Sequence, residues 1–570
     1  MTDFQCEQDK LYFVPLGGCG LFGANLSLYG YNGKWIMVDC GMGFPDDTMP
    51  SVDLLVPDIT FLKELGDDLI GCVLTHAHED HIGALEYLWP QFKCPLYATQ
   101  FTAKLIGSKF SEYPWADEVE MHVVPIGGEI TALDPFHIQM INVAHSIPEA
   151  QSLAITAGDL PPILHTGDWK IDPQPRVGEL TDEEAFRKLG ENVKGVLAVM
   201  GDSTNAMVDG HSKSESVVYD AMDKVFADYK DGRIFVTCFA SNICRMHTVA
   251  QIAEKYGRHV ALAGRSLWRS YHIGQECGYF EDIPPFIEAS DAMSLAPQNS
   301  VIVLTGSQGE ARAAVAKVSR GDHPCIKPTK DDVLLFSALR IPGNETTIDR
   351  ALGRFWDMGL EVITKQSHPE YQIHVSGHPY REELKLLYGW TKPKIAIPVH
   401  GEAMQMDHHN ALAKQCGVEH VTSGQTGSVY HLCPDKGMTI VDEVTYGLNA
   451  VEGRRIIPVD HESLHVRRRI TFNGAVVVSL IMDGKGGLTK HPKVTALGLI
   501  DEESAEGRET LLEVADIVRE AVENMPKELR LCQCDGTEKQ VAEKARIAAR
   551  KFFLRYCGKR PQTRVHLFTA

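Results

Sequence analysis

The sequence predicts a layered α/β protein in which one α/β domain is interrupted by a parallel-sheet domain and followed by a small α+β tail. Three observations lead there. The first part is strand-rich, with runs such as LYFVPLGG, NLSLYGY and KWIMVDCG separated by turn residues. From about Thr204 to Arg340 strand-like and helix-like segments alternate, the pattern of a parallel sheet with crossover helices. Beyond that region the chain returns to histidine-bearing segments, Gln372 to Pro379 and Ile395 to Glu402, which need partners from the first part, so the alternating region reads as an insertion.

Taken in order, Asn32-Gly33 between two β-rich runs predicts a hairpin, because both positions of its tight turn need positive φ. Gly18, Gly20 and Gly23 fit G-x-G-x-x-G, with Asp39 in the place of a ribose acid. Strand-like residues follow them where a dinucleotide fold requires a helix, and that reading is rejected. LIGCVLT leads at His76 into a ligand-rich turn, IGALEYLWPQF has helical spacing, and PLYATQ, EVEMHVVPI, FHIQMINVAH and LAITAG continue as strands. The inserted region alternates SESVVYDAMDKVFADY, RIFVTCF, CRMHTVAQIAEKYG, HVALAG, VIVLTG, EARAAVAKVSRG and DVLLFSA. Val451 to Arg469, with Arg454, Arg455, Arg467, Arg468 and Arg469, reads as a basic linker. ITFNGAVVVSLIM, KVTALGLI, two long helical patterns and RVHLFTA form the tail.

Composition narrows the function. The 570 residues could build about four average domains. With 56 Lys+Arg against 76 Asp+Glu the formal charge is −20, which argues against coating nucleic acid by bulk charge; any polyanion has to be held locally. No run approaches the about 18 uninterrupted apolar residues of a membrane span, the start MTDFQCEQDK lacks a secretion signal, and a cytoplasmic protein without membrane contact is expected. The 14 cysteines are scattered except for Cys532-Gln-Cys534, so they read as reduced thiols, with a metal role for Cys532 and Cys534 as the lesser alternative.

The chemistry concentrates in His76-Ala-His78-Glu-Asp80-His81. Three imidazoles and two carboxylates just after an apolar strand are expensive to fold unless they bind something. In an extended segment His76 and His78 point the same way and can share one metal, and a turn at Glu79 lets Asp80 and His81 face a neighbouring ion. Asp39, His145, Asp168 and His400 each close a strand-like run. Together these residues supply what two adjacent zinc ions need: three histidines and a bridging carboxylate for one, and Asp, His, the shared carboxylate and a further His for the other.

HAHEDH, His145 in AHSIPE, Asp168 in HTGDWK and Asp39 in VDCG resemble the metallo-β-lactamase superfamily. Asp202 in MGDSTNA, His378 in HVSGHP and His400 in PVHGE resemble the further motifs of its β-CASP nucleic-acid-processing branch. FASNICR (239–245), TGSQGE (305–310), IPGNE (341–345), HVSGH (374–378) and KPKIAIPVHGE (392–402) are similar to the bacterial ribonuclease J family, and the resemblance runs from about residue 11 to 410. It implies a metallo-β-lactamase αββα sandwich (1–205 and 366–450) with an inserted β-CASP domain (206–365), a linker (451–465) and a C-terminal α+β domain (466–570).

The resemblance also implies roles. His76, His78 and His145, with Asp168 bridging, would hold one Zn²⁺, and Asp80, His81, Asp168 and His400 the other; Asp39 would orient ligands. His400 at the last motif marks RNA-processing members. His378 would be the general acid for the leaving 3′ oxygen, with Asp202 orienting it or serving as a further site acid; a buried, hydrogen-bonded imidazole in a Gly-rich turn is the plainer alternative. His374, Ser376, Ser241 and Asn242, helped by Arg245, look like a pocket for a 5′-terminal monophosphate, although Ser-Asn after a strand is also a routine turn or helix cap. TGSQGE lacks the Lys-Ser/Thr ending of a nucleotide-binding P-loop. The chain departs from the family at Leu21 and Phe22, where a glutamate and an aliphatic residue are usual, and at Trp169, where Phe is common.

The expectation is a zinc-dependent ribonuclease with 5′-to-3′ exonuclease activity on single-stranded, preferably 5′-monophosphorylated RNA, acting in RNA maturation and decay, with room for endonuclease activity. It carries two Zn²⁺ per subunit and forms a homodimer or homotetramer through its tail, with room for partners in an RNA-degradation complex. The rivals are a hydrolase of a small ester or thioester on the same fold, and a non-catalytic RNA-binding subunit, which should have lost ligands.

Overall fold

The computed structural model describes residues 4–46, 48–340, 344–530 and 537–569. Cys532 and Cys534, and the Ile341-Pro342-Gly343 part of IPGNE, lie outside the described residues. The chain forms two compact units, one of residues 1–44 and 54–449, the other of 45–53 and 450–570.

The first unit is built on two facing mixed sheets. In the eight-stranded sheet, Leu11–Pro15 lies between Ser27–Tyr31 and Ser428–Cys433, and Lys34–Val38, Leu69–Val73, Leu96–Ala98 and Met121–Val123 follow on the far side. The expected hairpin pairs Tyr31 with Lys34, and Asn32 and Gly33 take φ of 51° and 78°. The seven-stranded sheet places Ala198–Asp202 between Ile163–His165 and Ile395–Val399, both parallel to it. Strands from beyond residue 366 thus complete both sheets.

Alternation along each strand explains the layering. Leu153, Ile155, Ala198 and Met200 face Phe13, Tyr29, Ile36 and Val38 of the other sheet across a shared core. Their neighbours Ala154 and Val199 point the other way, under Phe186, Leu384, Leu387 and Leu412 of the helices Glu183–Glu191, Arg381–Thr391 and Ala403–Gln415. On the eight-stranded sheet Trp35 packs edge-on against Phe61 of the helix Thr60–Leu65. The result is helix, sheet, sheet, helix.

Between these halves a six-stranded, wholly parallel sheet runs in the order Ile287–Glu288, His259–Ala263, Ser300–Leu304, Ile234–Thr237, Val333–Phe336, Glu361–Ile363. Its central strands, buried on both faces, are continuous apolar runs, as parallel strands covered by crossover helices must be.

In the second unit Ala475–Met482 is flanked by Lys493–Leu497, antiparallel, and Gln562–Thr569, parallel. The helices Ala505–Glu523 and Thr537–Cys557 pack on one side of this sheet through Val514, Val518, Ala545, Ala549 and Phe553. Much of the stretch expected as a linker is regular here, with a strand Arg455–Pro458 and a helix Glu462–Asn473. Arg467 is bound to Glu452 and to the Pro50 carbonyl rather than free in a connector. Among the described residues no helix is long and apolar enough to cross a membrane.

Candidate metal centre

The site forms where the carboxyl ends of neighbouring strands meet, the edge at which open α/β sheets place their ligands. Asp39 follows Lys34–Val38, Asp168 follows Ile163–His165, Asp202 ends Ala198–Asp202 and His400 follows Ile395–Val399. Asp80 and His81 sit in the short helix Glu79–Ile82. Asp39 and His400 are held at φ of 62° and 52°, a costly backbone for residues with side chains and one that recurs where function demands a particular aim. Gly41 lets these loops close: a Cβ there would lie 1.6 Å from the Asp80 carbonyl oxygen.

Three side-chain clusters result, each with ligand atoms within 4.8 Å of one another: His76, His78, His145 and Asp168; Asp80, His81, Asp168 and His400; and Asp168, Asp202, His378 and His400. In the first, His78 Nδ1 lies 3.1 Å from His76 Nε2 and 3.0 Å from His145 Nε2. One ring nitrogen cannot satisfy two others that both bring lone pairs. A cation at their centre can, since ligands at about 2.0–2.1 Å on a tetrahedral ion stand about 3.3 Å apart. Asp168 joins the clusters, with Oδ2 3.5 Å from His76 Nε2 and 3.3 Å from His81 Nε2, and Oδ1 3.2 Å from His400 Nε2. Oδ1 is buried without a hydrogen bond, so this carboxylate has a lone pair to spare. The residues present fit a metal.

The outward-facing nitrogens are committed elsewhere, which fixes the tautomers. His145 Nδ1 donates to the Gly377 carbonyl at 2.7 Å, His81 Nδ1 to Asp39 Oδ2 at 2.7 Å, and His400 Nδ1 to Asn25 Oδ1 at 2.9 Å. His76 Nδ1 donates to Thr75 Oγ1, which donates in turn to Asp39. Burial pushes His76 and His145 well below the usual histidine range and His78 down to about 4, keeping them in the neutral form that a metal requires of its ligands. Burial opposes ionisation of Asp168, but the surrounding His400, His81 and His378 outweigh it and hold the carboxyl well below its usual range.

His378 stands apart from the first two clusters. Its Nδ1 donates to Asp202 Oδ2 at 2.8 Å, and its ring packs 5.1 Å from His145 and 5.7 Å from His400. Burial acts to lower its pKa, but Asp202 and Asp168 prevail and hold it at about 9.

The other expected residues meet mixed outcomes. His374 is half-buried, with its Nδ1 enclosed and unpartnered, and Ser376 Oγ accepts from Asn205 Nδ2 at 2.8 Å. Ser241 is half-buried at the turn before the helix Ile243–Lys255, and Asn242 Oδ1 caps that helix by accepting from the Arg245 amide, the plainer of its two roles. Arg245 requires a correction. Its guanidinium is fully buried, donates to the Ser337 and Ile373 carbonyls and pairs with Glu215, so it braces the loop under His374 and does not reach a phosphate.

Comparison with known proteins follows this geometry. Residues 19–168 match the metallo-β-lactamase superfamily, 231–355 the ribonuclease J β-CASP domain, 370–423 a Zn-dependent metallo-hydrolase RNA specificity domain and 463–569 the ribonuclease J C-terminal domain. Ribonuclease J of Sinorhizobium meliloti is 40% identical over 531 residues, covering 92% of this chain and 92% of that protein. The chain belongs to the ribonuclease J family. Ribonuclease J of Synechocystis is 34% identical (87% of this chain, 76% of that protein), and that of Thermus thermophilus 32% (91% and 90%). A crystal structure of a protein of unknown function from Enterococcus faecalis shares the fold, with TM-score 0.52 at 15% identity over 74% of this chain and all of that one.

A ribonuclease J is a metal-dependent nuclease acting on RNA, on a metallo-β-lactamase fold with a β-CASP insert and a C-terminal domain. What sequence reasoning missed in this one is the support: Asn25, which spans His400 and the Asp80 carbonyl (Nδ2 donating at 3.0 Å), Thr75 between His76 and Asp39, and the Gly377 carbonyl. The one available signal was Asn25 itself, a polar residue two positions ahead of the strand Ser27–Tyr31.

Proposed function

We propose that this ribonuclease uses two zinc ions to remove nucleotides from the 5′ end of single-stranded RNA, preferring a 5′-monophosphate and able to cut internally, in RNA maturation and decay in the cytoplasm. The single observation that carries the reading is the Asp168 carboxylate standing between two histidine sets. His76, His78, His145 and Asp168 would hold one ion, and Asp80, His81, Asp168 and His400 the other. Imidazole and carboxylate donors at tetrahedral spacing favour zinc. When bound, the two ions supply a nucleophilic water at neutral pH and compensate the charge on the scissile phosphate.

The chain does the rest. Asp39, Thr75, Asn25 and the Gly377 carbonyl aim the ligating rings. His378 holds a proton against Asp202 and donates it to the departing 3′ oxygen. His374, with its unpartnered ring nitrogen, together with Ser376 and Ser241, receives the 5′ phosphate, and Arg245 stiffens that loop from below. The reading divides the chain at 1–205 and 366–450 for the metallo-β-lactamase domain, 206–365 for the β-CASP domain and 466–570 for the tail, through which copies associate as dimers or tetramers. Reduced thiols at all 12 described cysteines suit the cytoplasm.

Product mapping on 5′-monophosphate and 5′-triphosphate RNA of one sequence, with and without a chelator, tests this. Mononucleotides chiefly from the monophosphate substrate, lost on zinc removal and absent with His78→Ala or Asp80→Ala, are expected. Unaltered cleavage after zinc removal would overturn it.

A further inference from the structure

The C-terminal part of the second unit has a charge balance opposite to that of the whole chain. Residues 450–570 hold 21 Lys+Arg against 17 Asp+Glu, a balance of +4, where the full chain stands at −20. The two signs are also segregated. Ten acids lie between Asp501 and Glu528, mostly on the helix Ala505–Glu523, whereas no acid follows Glu543 and eight Lys or Arg do.

The sheet of this unit has helices on one face. Val476, Val478, Leu480, Met482, Val494 and Ala496 point into the core beneath them, so the alternate residues point away. Register aligns these in rows across the three strands: Lys493, Ser479 and His566 in one, Thr495, Val477 and Arg564 in the next, and Ile481 beside Phe568 at the end. Phe568 is 55% exposed, Leu497 58%, and Lys493, Arg564 and His566 are exposed with them. Every described residue on this face is apolar, neutral polar or basic. Among the described residues neither Lys493 nor Arg564 has an ion-pair partner. At the Gln562 end the helix Glu462–Asn473 adds the exposed Arg468 and Arg469 and the 72% exposed Phe472, with the Lys559 ammonium 4.4 Å from the Phe472 ring centroid.

We propose that the open face of this sheet binds single-stranded RNA, with bases stacking on Phe568 and His566 and phosphates meeting Lys493 and Arg564. An exposed sheet carrying aromatic rings between unpaired cations is the chemistry that holds unpaired nucleotides without reading their sequence. A second copy of the chain fits the face worse. A twofold contact would bring Lys493 and Arg564 toward their own counterparts with no acid on the face to meet them. The inference takes the identity of the ligand from the ribonuclease reading, while the site is separate from the metal centre.

The test compares full-length, zinc-loaded wild type with Phe568→Ala, Arg564→Glu and the conservative Phe568→Tyr and Arg564→Lys. Affinity for a long unstructured RNA with cleavage-resistant phosphorothioate linkages is read by fluorescence anisotropy across a salt series. Cleavage of an RNA of only a few nucleotides is measured alongside, and oligomeric state by light scattering. Phe568→Ala and Arg564→Glu are each expected to weaken binding of the long RNA about tenfold or more. Arg564→Glu should also lower the salt slope by about one, and the conservative variants should stay near wild type, with short-RNA cleavage unchanged throughout. Unchanged affinity for the long RNA in both disruptive variants overturns the proposal. The same result with a shift in oligomeric state overturns it too and assigns the face to a second copy. Wild type that binds the long RNA but fails to cleave the short one would instead sink the ribonuclease reading and leave the binding face standing.

Discussion

Gly377→Ala is a one-carbon probe of the metal centre at a residue that is not a ligand. A Cβ at Gly377 would stand 2.7 Å from His145 Cε1 and 2.8 Å from Nδ1, where ordinary contact begins at 3.4 Å. The His145 ring, buried and ringed by His76, His78 and His378, has to move roughly 0.7 Å or push the backbone away. Either motion breaks the 2.7 Å bond from Nδ1 to the Gly377 carbonyl. Metal sites tolerate about 0.2 Å in ligand distance, and loss of such an orienting partner weakens metal affinity by about 10- to 100-fold, or about 1.4–2.7 kcal/mol. The expected result is a rightward shift of that size in the zinc titration of activity, with maximal activity largely recovered at saturating zinc and little change in the unfolding midpoint of the metal-free protein. A titration within twofold of wild type would refute the argument that His145 is aimed from Gly377.

His378→Gln should cut kcat by about 10²- to 10⁴-fold with zinc content unchanged, since His378 is absent from both ligand sets; loss of metal would reassign it as a ligand. Asp202→Asn removes the charge that holds His378 protonated, so the alkaline limb of the kcat profile should move to lower pH, and a limb that stays in place would rule His378 out as the acid. Arg245→Met leaves Glu215 buried without its partner and should destabilise the fold by about 3–5 kcal/mol, with much of it recovered in Arg245→Met/Glu215→Gln and the 5′-monophosphate preference kept; selective loss of that preference would restore Arg245 to the phosphate pocket. Buried His409, which bonds Ser203 Oγ and the Tyr388 hydroxyl, is pushed down by burial to about 4. The unfolded chain therefore takes up the proton first, and stability present above about pH 6.5 is lost as pH falls toward 4, about 2 kcal/mol of it by pH 5. Urea midpoints at pH 7 and 5 should differ less by that amount in His409→Gln, and an equal difference would show that His409 does not titrate in this window.

The residues that cluster at the site were legible in the sequence because of what such groups cost to fold. Three histidines and two carboxylates placed after an apolar strand, as in HAHEDH, have no cheap reason to be there, and His145, Asp168 and His400 each close an apolar run near its carboxyl end. The layering was legible for the related reason that strand and helix periods differ, and the insert showed itself by alternating the two. Arg245 was misplaced because a basic residue after a Ser-Asn turn looks the same in sequence whether it faces a phosphate or a carboxylate. Only the third dimension showed that Glu215, 30 residues earlier in the chain, was waiting for it. The orienting groups were hidden more deeply. Gly377 acts through a carbonyl that every residue owns, and Thr75 through a hydroxyl that any turn could use.

These two kinds of residue should also fail differently. A lost ligand removes a donor that raising the zinc concentration cannot replace, whereas a lost orienting partner leaves every donor in place and only widens its aim, which mass action can offset. The Gly377→Ala titration separates the two. If excess zinc restores that variant while His145→Ala stays silent at any zinc concentration, the carbonyl that the sequence could not reveal is a second layer of the same centre. If neither recovers, the Gly377 loop reaches the bound RNA directly, and the His145 bond is incidental to what it does there.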